Sequence, residues 1–145
     1  MWWWLSILIV GLGVAGVLLW RAVHRRQALR GYIAQAQRIT DSAVAGALRQ
    51  LGWAASVASE PVADVWGHGI LAFEYEVAEP ADGTVTALNA ALVAVATATG
   101  QQGVDPQTPA FVVTDYWRRD GQLHFDVAFV TNAVTAEYVA DVARV

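Results

Sequence analysis

From Trp2 to Trp20 the chain runs nineteen residues without a charged side chain. At about 1.5 Å per residue, a helix of that length matches the roughly 30 Å hydrocarbon core of a bilayer. Trp2, Trp3 and Trp4 mark one end and Trp20 the other, where amphipathic indoles settle at the headgroup boundary. The pattern predicts a transmembrane helix over residues 1–21. No basic residue precedes the apolar run and no small-residue cleavage site follows it, so it does not read as a cleavable signal peptide.

Beyond it the period changes. Between Gln27 and Leu51, apolar residues recur at Leu29, Tyr32, Ile33, Ala36, Ile39, Ala43, Ala47, Leu48 and Leu51, the spacing of an amphipathic helix that Gly52 can stop. Residues 22–51 are read as a basic juxtamembrane segment and this helix, with Thr40-Asp41-Ser42 as a fresh N-cap and bend. The membrane helix can thus run on as a stalk.

Residues 52–145 carry strand signals. Trp53 to Ser59 is read as a short strand. Ile70 to Ala78 is a stronger one, placing Leu71, Phe73, Tyr75 and Val77 on one face and Glu74 and Glu76 on the other. Between them, Pro61 to Gly69 is a loop. Thr84 to Thr99, with Leu88, Ala91, Leu92 and Val95 at helical spacing, is a helix ending at Gly100. Ala110 to Trp117 and Gln122 to Thr131 flank Asp120-Gly121, a hairpin signal. A two-residue turn there would set Tyr116, Thr114 and Val112 against Phe125, Val127 and Phe129, with Asp115 opposite Asp126. A bulged turn with Gly121 left-handed instead groups Phe111, Val113 and Trp117 with Leu123, Phe125, Val127 and Phe129. The second is preferred because its face is more apolar. Asn132 then caps a last helix, Ala133 to Arg144. Two helix-strand-strand units and a final helix predict an α+β chain, a transmembrane helix followed by a ferredoxin-like domain: a four-stranded antiparallel sheet with helices on one face.

Composition adds an address. There is no lysine and no cysteine, while Ala and Val supply 27 and 21 of the 145 residues, a bias that fits a GC-rich bacterial source. Without cysteine there is no disulfide framework, thiolate metal site or thiol nucleophile. Residues 21–49 hold six Arg against Asp41, a net of +5, whereas residues 50–145 hold three Arg against twelve acids, a net of −9. Arg21, Arg25, Arg26 and Arg30 follow the span directly, so the positive-inside rule predicts the N-terminus outside and the domain in the cytoplasm. These arginines are placed to touch anionic lipid headgroups. The acidic remainder argues against nucleic acid as a partner.

Gly11-Leu12-Gly13-Val14-Ala15-Gly16 is a literal G-x-G-x-x-G after the strand-like Ile7 to Val10. A dinucleotide site needs that turn between strand and helix, with a second strand ending in an acid about twenty residues on. Asp41 sits in cap-like sequence, and no βαβ alternation follows. Helix packing is the other use: Gly11 and Ala15, four apart, make a small-xxx-small face, and Gly16 and Gly13 extend the small surface.

Candidate chemistry is sparse. His24 lies among the membrane-proximal arginines. His124 and Asp126 alternate along one strand face. Glu74 and Glu76 are paired carboxylates about 7 Å apart with no nucleophile or positive partner beside them. Trp66 and His68, in Trp66-Gly67-His68-Gly69, are the most site-like residues, a ligand loop for a small-molecule sensor. There is no phosphate-loop lysine and no Gly-x-Ser-x-Gly elbow, so neither enzyme activity nor a cofactor or metal is expected.

Paired helix-strand-strand units behind one span look like the small ferredoxin-like subunits of bacterial secretion and pilus platforms, which usually place the domain outside the cytoplasm. The Ala/Val/Arg-rich, lysine-free composition with a cytoplasmic ferredoxin-like domain is similar to a small single-pass accessory subunit of mycobacterial Mce-type lipid import transporters. That resemblance implies a non-catalytic subunit of an inner-membrane complex, docked through its span and cytoplasmic domain. The alternatives are a membrane-anchored small-ligand sensor, a secretion or pilus platform subunit, a respiratory-complex accessory subunit and a self-associating scaffold.

Overall fold

The computed structural model describes residues 2–53, 57–62 and 69–144. Its elements are α1 (Trp3–Leu51), β1 (Ser59–Pro61), β2 (Ala72–Ala78), α2 (Val85–Thr99), β3 (Phe111–Arg119), β4 (Gln122–Phe129) and α3 (Ala133–Val142). Two compact units divide the chain, Met1–Ala34 and Gln35–Val145.

The first unit is helical. Helix α1 is long and apolar enough to cross a membrane, with a mean hydropathy of 2.1 over its most apolar stretch and none of that stretch buried. A helix apolar on all sides and covered by nothing is what a lipid environment tolerates and water does not.

In the second unit, α1 buries Ala36, Thr40, Ala43, Val44, Ala47 and Leu48, a stripe at three-and-four spacing. Thr40-Asp41-Ser42 is helix interior, not a cap. Thr40 Oγ donates back to the Ala36 carbonyl (2.9 Å), and Asp41 turns its carboxylate to the sheet. A back-bond within the helix for Thr40 and tertiary partners for Asp41 absorb polar groups that make these residues look like a helix start. The helix ends at Gly52, whose φ of 70° closes it in the left-handed conformation.

The sheet has the order β1-β2-β4-β3 with every neighbouring pair antiparallel. The strand expected over Trp53 to Ser59 is displaced. Trp53 and Val57 lie outside any strand, residues 54–56 are outside the described set, and β1 pairs only Ser59, Glu60 and Pro61 with Tyr75, Glu74 and Phe73. Strand β2 alternates as expected: Phe73, Tyr75 and Val77 are buried, Glu74 and Glu76 exposed.

The hairpin corrects the preferred register. Arg119 pairs with Gln122, so the turn is the two-residue Asp120-Gly121, both with positive φ (51° and 76°), as a type I′ turn requires. Tyr116 faces Phe125 and Asp115 faces Asp126. The bulge sits further along, at Thr114, and beyond it Val113 faces Val127 and Phe111 faces Phe129. Each of the two registers therefore holds on one side of the bulge. That shift returns Val113 and Phe111 to the core face, so neither half leaves a large apolar side chain in water.

Helix α2 begins at Thr84, whose hydroxyl accepts from Ala87 N–H, and ends at left-handed Gly100. It lies against α1 so closely that a Cβ on Gly46 would meet Val95 Cγ2 at 3.2 Å. The core of the second unit is the layer between these helices and the sheet. It holds Leu48, Leu88, Leu92, Phe73, Tyr75, Phe125 and Phe111, with Tyr75 stacked on Phe125 (5.4 Å) and Phe111 on Phe129 (4.9 Å).

Helix α3 is on the opposite face, which corrects the expectation of helices on one face only. Ala136, Tyr138 and Val139 pack on Ala72, Ala128 and Val130, which belong to the other side of the pleat. Asn132 caps α3 through Thr135 N–H and donates to the Gly69 carbonyl, while the buried Thr135 hydroxyl accepts from Leu71 N–H (3.0 Å). The small side chains of Ala72 and Ala128 leave a flat apolar seat that would otherwise face water.

Candidate functional site

On the membrane-length helix, Cβ atoms built at Gly11, Gly13 and Gly16 meet nothing within 4 Å. With about 100° between successive residues, Gly11 and Ala15 share a face, while Gly16 points about 100° away from Ala15. A shallow apolar groove runs elsewhere on the same helix, lined by Val10, Gly13, Val14, Val17 and Leu18. Gly13 is thus the glycine that opens a groove, a point the sequence motif does not distinguish. Trp20 meets His24 edge to face at 4.5 Å. Arg21, Arg25, Arg26 and Arg30 are all exposed, and no ion pair engages them among the described residues. Trp66 and His68 lie outside the described residues.

In the second unit a polar knot ties α1 to the sheet. Asp41 Oδ1 accepts from Ser59 Oγ (2.6 Å) and from the Tyr75 hydroxyl (2.8 Å), and Gln37 Nε2 donates to the Ser59 carbonyl and hydroxyl (both 2.9 Å). Burial, reinforced by the Asp41 carboxylate, pushes the Tyr75 phenol well above its ordinary range, so it stays a donor at any physiological pH. Its chemistry is that of a fastener: a three-residue edge strand has too few ladder bonds to hold itself, and this knot supplies the remainder.

The sheet face that carries α3 is different. Register places Glu60 beside Glu74, Glu74 beside Asp126 and Asp126 beside Asp115, one carboxylate on each of four adjacent strands. The next row is Glu76, His124 and Trp117, in which the indole stacks on the imidazole (5.1 Å, 9° between planes). The row on the other side, Ala72, Ala128 and Val112, is part of the seat of α3. Glu60, Glu74, Glu76 and Asp115 are exposed, but Asp126 retains only 8% of its surface and its Oδ1 has no hydrogen-bond partner. Burial first, then the charges of Glu74 and Asp115, push the Asp126 carboxyl up to about 6. His124 Nδ1, also buried, lies 3.8 Å from Glu74 Oε1, beyond hydrogen-bond length.

Among the described residues, the one ion-pair contact with this row is that of His124 with Glu74. Arg118 is committed to Glu79 (2.8 Å) and the Gly83 carbonyl (2.6 Å), and Arg119 to Asp120 at the turn (3.3 Å). Among the described residues, no three His, Asp or Glu side chains are placed to hold a metal ion. The carboxylates form a line and do not gather round a point. Sequence inspection finds Glu74 with Glu76 and His124 with Asp126, each pair along a single strand. The row across strands is visible only once register is known, and its one sequence signal is the Asp115–Asp126 opposition that the two-residue turn implies.

Comparison with protein-family models, with curated proteins and with solved structures finds no match to this chain.

Proposed function

We propose that this chain is a non-catalytic, single-pass accessory subunit of a larger bacterial membrane complex, with a transporter as the preferred host and lipid import of the ABC type as the preferred cargo system. Supporting that reading above all is the membrane-length helix, wholly unburied and bearing open glycine positions where another helix can approach closely. The arginine cluster after the span favours an outside N-terminus, headgroup contact at Arg21, Arg25, Arg26 and Arg30, and a cytoplasmic domain. On the same reading the domain is a ferredoxin-like sandwich. The strand order β1-β2-β4-β3 with α1 and α2 on one face is the arrangement obtained by circularly permuting a βαββαβ sandwich, so that its first strand comes last in the chain.

The test is purification of the tagged full chain in mild detergent from its native membranes, followed by mass spectrometry. The expected outcome is co-recovery of larger membrane proteins, lost when Gly11→Leu and Ala15→Leu are combined. Recovery of the bait alone overturns the accessory-subunit reading, and undiminished recovery by the double variant overturns docking through that face.

A further inference from the structure

We infer that the outer edge of β3, from Asp115 to Arg119, is a pairing surface for a second copy of this chain, with Trp117 facing its counterpart across a twofold axis. The inference goes beyond the accessory-subunit reading and does not rest on it.

The strand order leaves β3 at one edge of the sheet. Because Arg119 faces Gln122 across the two-residue turn, the backbone groups of Arg119, Trp117 and Asp115 point to β4, and those of Tyr116 and Arg118 point away from the sheet. Helix α2 closes the first half of this edge, where Asn89 Oδ1 accepts from Val113 N–H (3.0 Å). From the bulge at Thr114 to the turn the edge is open. Tyr116 N–H is held only by the neighbouring Asp115 Oδ1 (2.8 Å), and no backbone partner outside the strand reaches Arg118 N–H or the Tyr116 and Arg118 carbonyls among the described residues. Such an edge is a template for another strand.

Charge and register select a second copy as that strand. A twofold axis makes the pairing antiparallel, and only outward groups bond across it, so the centre falls at Tyr116, Trp117 or Arg118. Tyr116 on itself carries the bulge at Thr114 into the new ladder, and Arg118 on itself sets guanidinium against guanidinium. Trp117 on itself does neither. It joins Tyr116 to Arg118 of the second copy by backbone bonds in both directions and brings the two indoles together at a non-hydrogen-bonded position, where side chains lie closest. It also sets Asp115 opposite Arg119 of the second copy, twice over. Alternation puts Asp115, Trp117 and Arg119 on one face of the strand, and Asp115 and Arg119 are exposed. An edge guarded against its own copy would oppose like charges; this one opposes unlike ones.

Little is given up in docking. Tyr116 N–H exchanges a carboxylate for a carbonyl, which frees Asp115 for the guanidinium. The Arg119–Asp120 pair that must yield is 78% and 86% exposed, so solvent screens it. The product is one continuous sheet made of two four-stranded halves.

The test is sedimentation velocity of the full chain in mild detergent over a range of concentrations. A reversible dimer is expected. Asp115→Arg alone and Arg119→Asp alone should each weaken it at least about tenfold, because each sets like charges opposite one another. Mixing the two single variants should restore it, since every contact between the unlike copies is then again of opposite sign, and restoration also shows that both variants are folded. Register is read from Trp117→Cys in this cysteine-free chain. Facing Cα atoms at such a position lie about 4.5 Å apart, within the roughly 4.4–6.8 Å that a disulfide spans, so mild oxidation should trap a covalent dimer that an exposed control, Gln102→Cys, does not form.

A chain that stays monomeric overturns the proposal. So do dimers that survive both single variants, or that the mixture fails to restore. Dimers lost with Gly11→Leu and Ala15→Leu but kept by Arg119→Asp would place self-association in the membrane-length helix and overturn it equally. A charge-dependent dimer in which Trp117→Cys forms no disulfide overturns the register. Recovery of the bait alone from native membranes, beside a dimer that obeys the charge exchange, counts against the accessory-subunit reading and leaves this surface standing.

Discussion

Asp126 shows what a single residue does when its surroundings disagree with its charge. Its raised carboxyl value, about 6, means that the folded chain holds this proton more tightly than the unfolded chain, whose aspartates titrate near about 4. Its contribution to stability is therefore greatest below about pH 4 and is lost as pH rises from about 4 to about 6, by on the order of 2 kcal/mol. Asp126→Asn should remove that slope and raise the urea midpoint at neutral pH, as denaturation of the full chain across this window would read. An unchanged slope would mean that another group titrates there. Glu74, Asp115 and His124 from the strands and Tyr138 from α3 all bear on the same site, and the variant separates Asp126 from them.

At the scale of elements, most of the chain was legible from its pattern, and the misses have specific causes. Strand β2 and helices α2 and α3 follow from alternation and helical spacing, from Asn132 as a cap and from Gly100 as a stop, whereas Thr84, read as the first helical residue, is the N-cap of α2. The hairpin register did not, because a count of apolar faces treats β3 as uniform, whereas a bulge at Thr114 divides it. The turn is the place to test this. Gly121 has φ of 76° and open space around its missing Cβ, so Gly121→Ala carries backbone strain without a clash. It should lower stability by about 1–2 kcal/mol in urea denaturation, while Asp120→Gly should change it by less. If Gly121→Ala costs nothing, the turn is not the tight two-residue form. The edge strand β1 was misplaced for another reason. Its position is set by Asp41 and Gln37 on α1, a tertiary knot that β-propensity does not contain.

For the whole molecule, the absence of cysteine makes the orientation directly readable. Gln102 is exposed on the connection between α2 and β3, so a single Gln102→Cys variant is a reporter for the domain. With the domain cytoplasmic, the thiol should resist a membrane-impermeant maleimide in intact cells and react after permeabilisation. Labelling before permeabilisation would reverse the orientation, and with it the weight given to Arg21, Arg25, Arg26 and Arg30.

By itself the sequence determined what depends on local order along the chain. It set the membrane-length apolar helix, the period of each longer element, the cap at Asn132 and the charge asymmetry between residues 21–49 and 50–145. Only the tertiary structure decided what depends on bringing distant segments together. It seated α3 on the second face, joined the two registers through Thr114, turned Asp41 from a presumed cap into the hub of a knot, and lined up Glu60, Glu74, Asp126 and Asp115. The physical reason is that periodicity specifies which face a residue takes within its own element. Which residue lies across from it is set by turn geometry and by competition among all the strands for the same core.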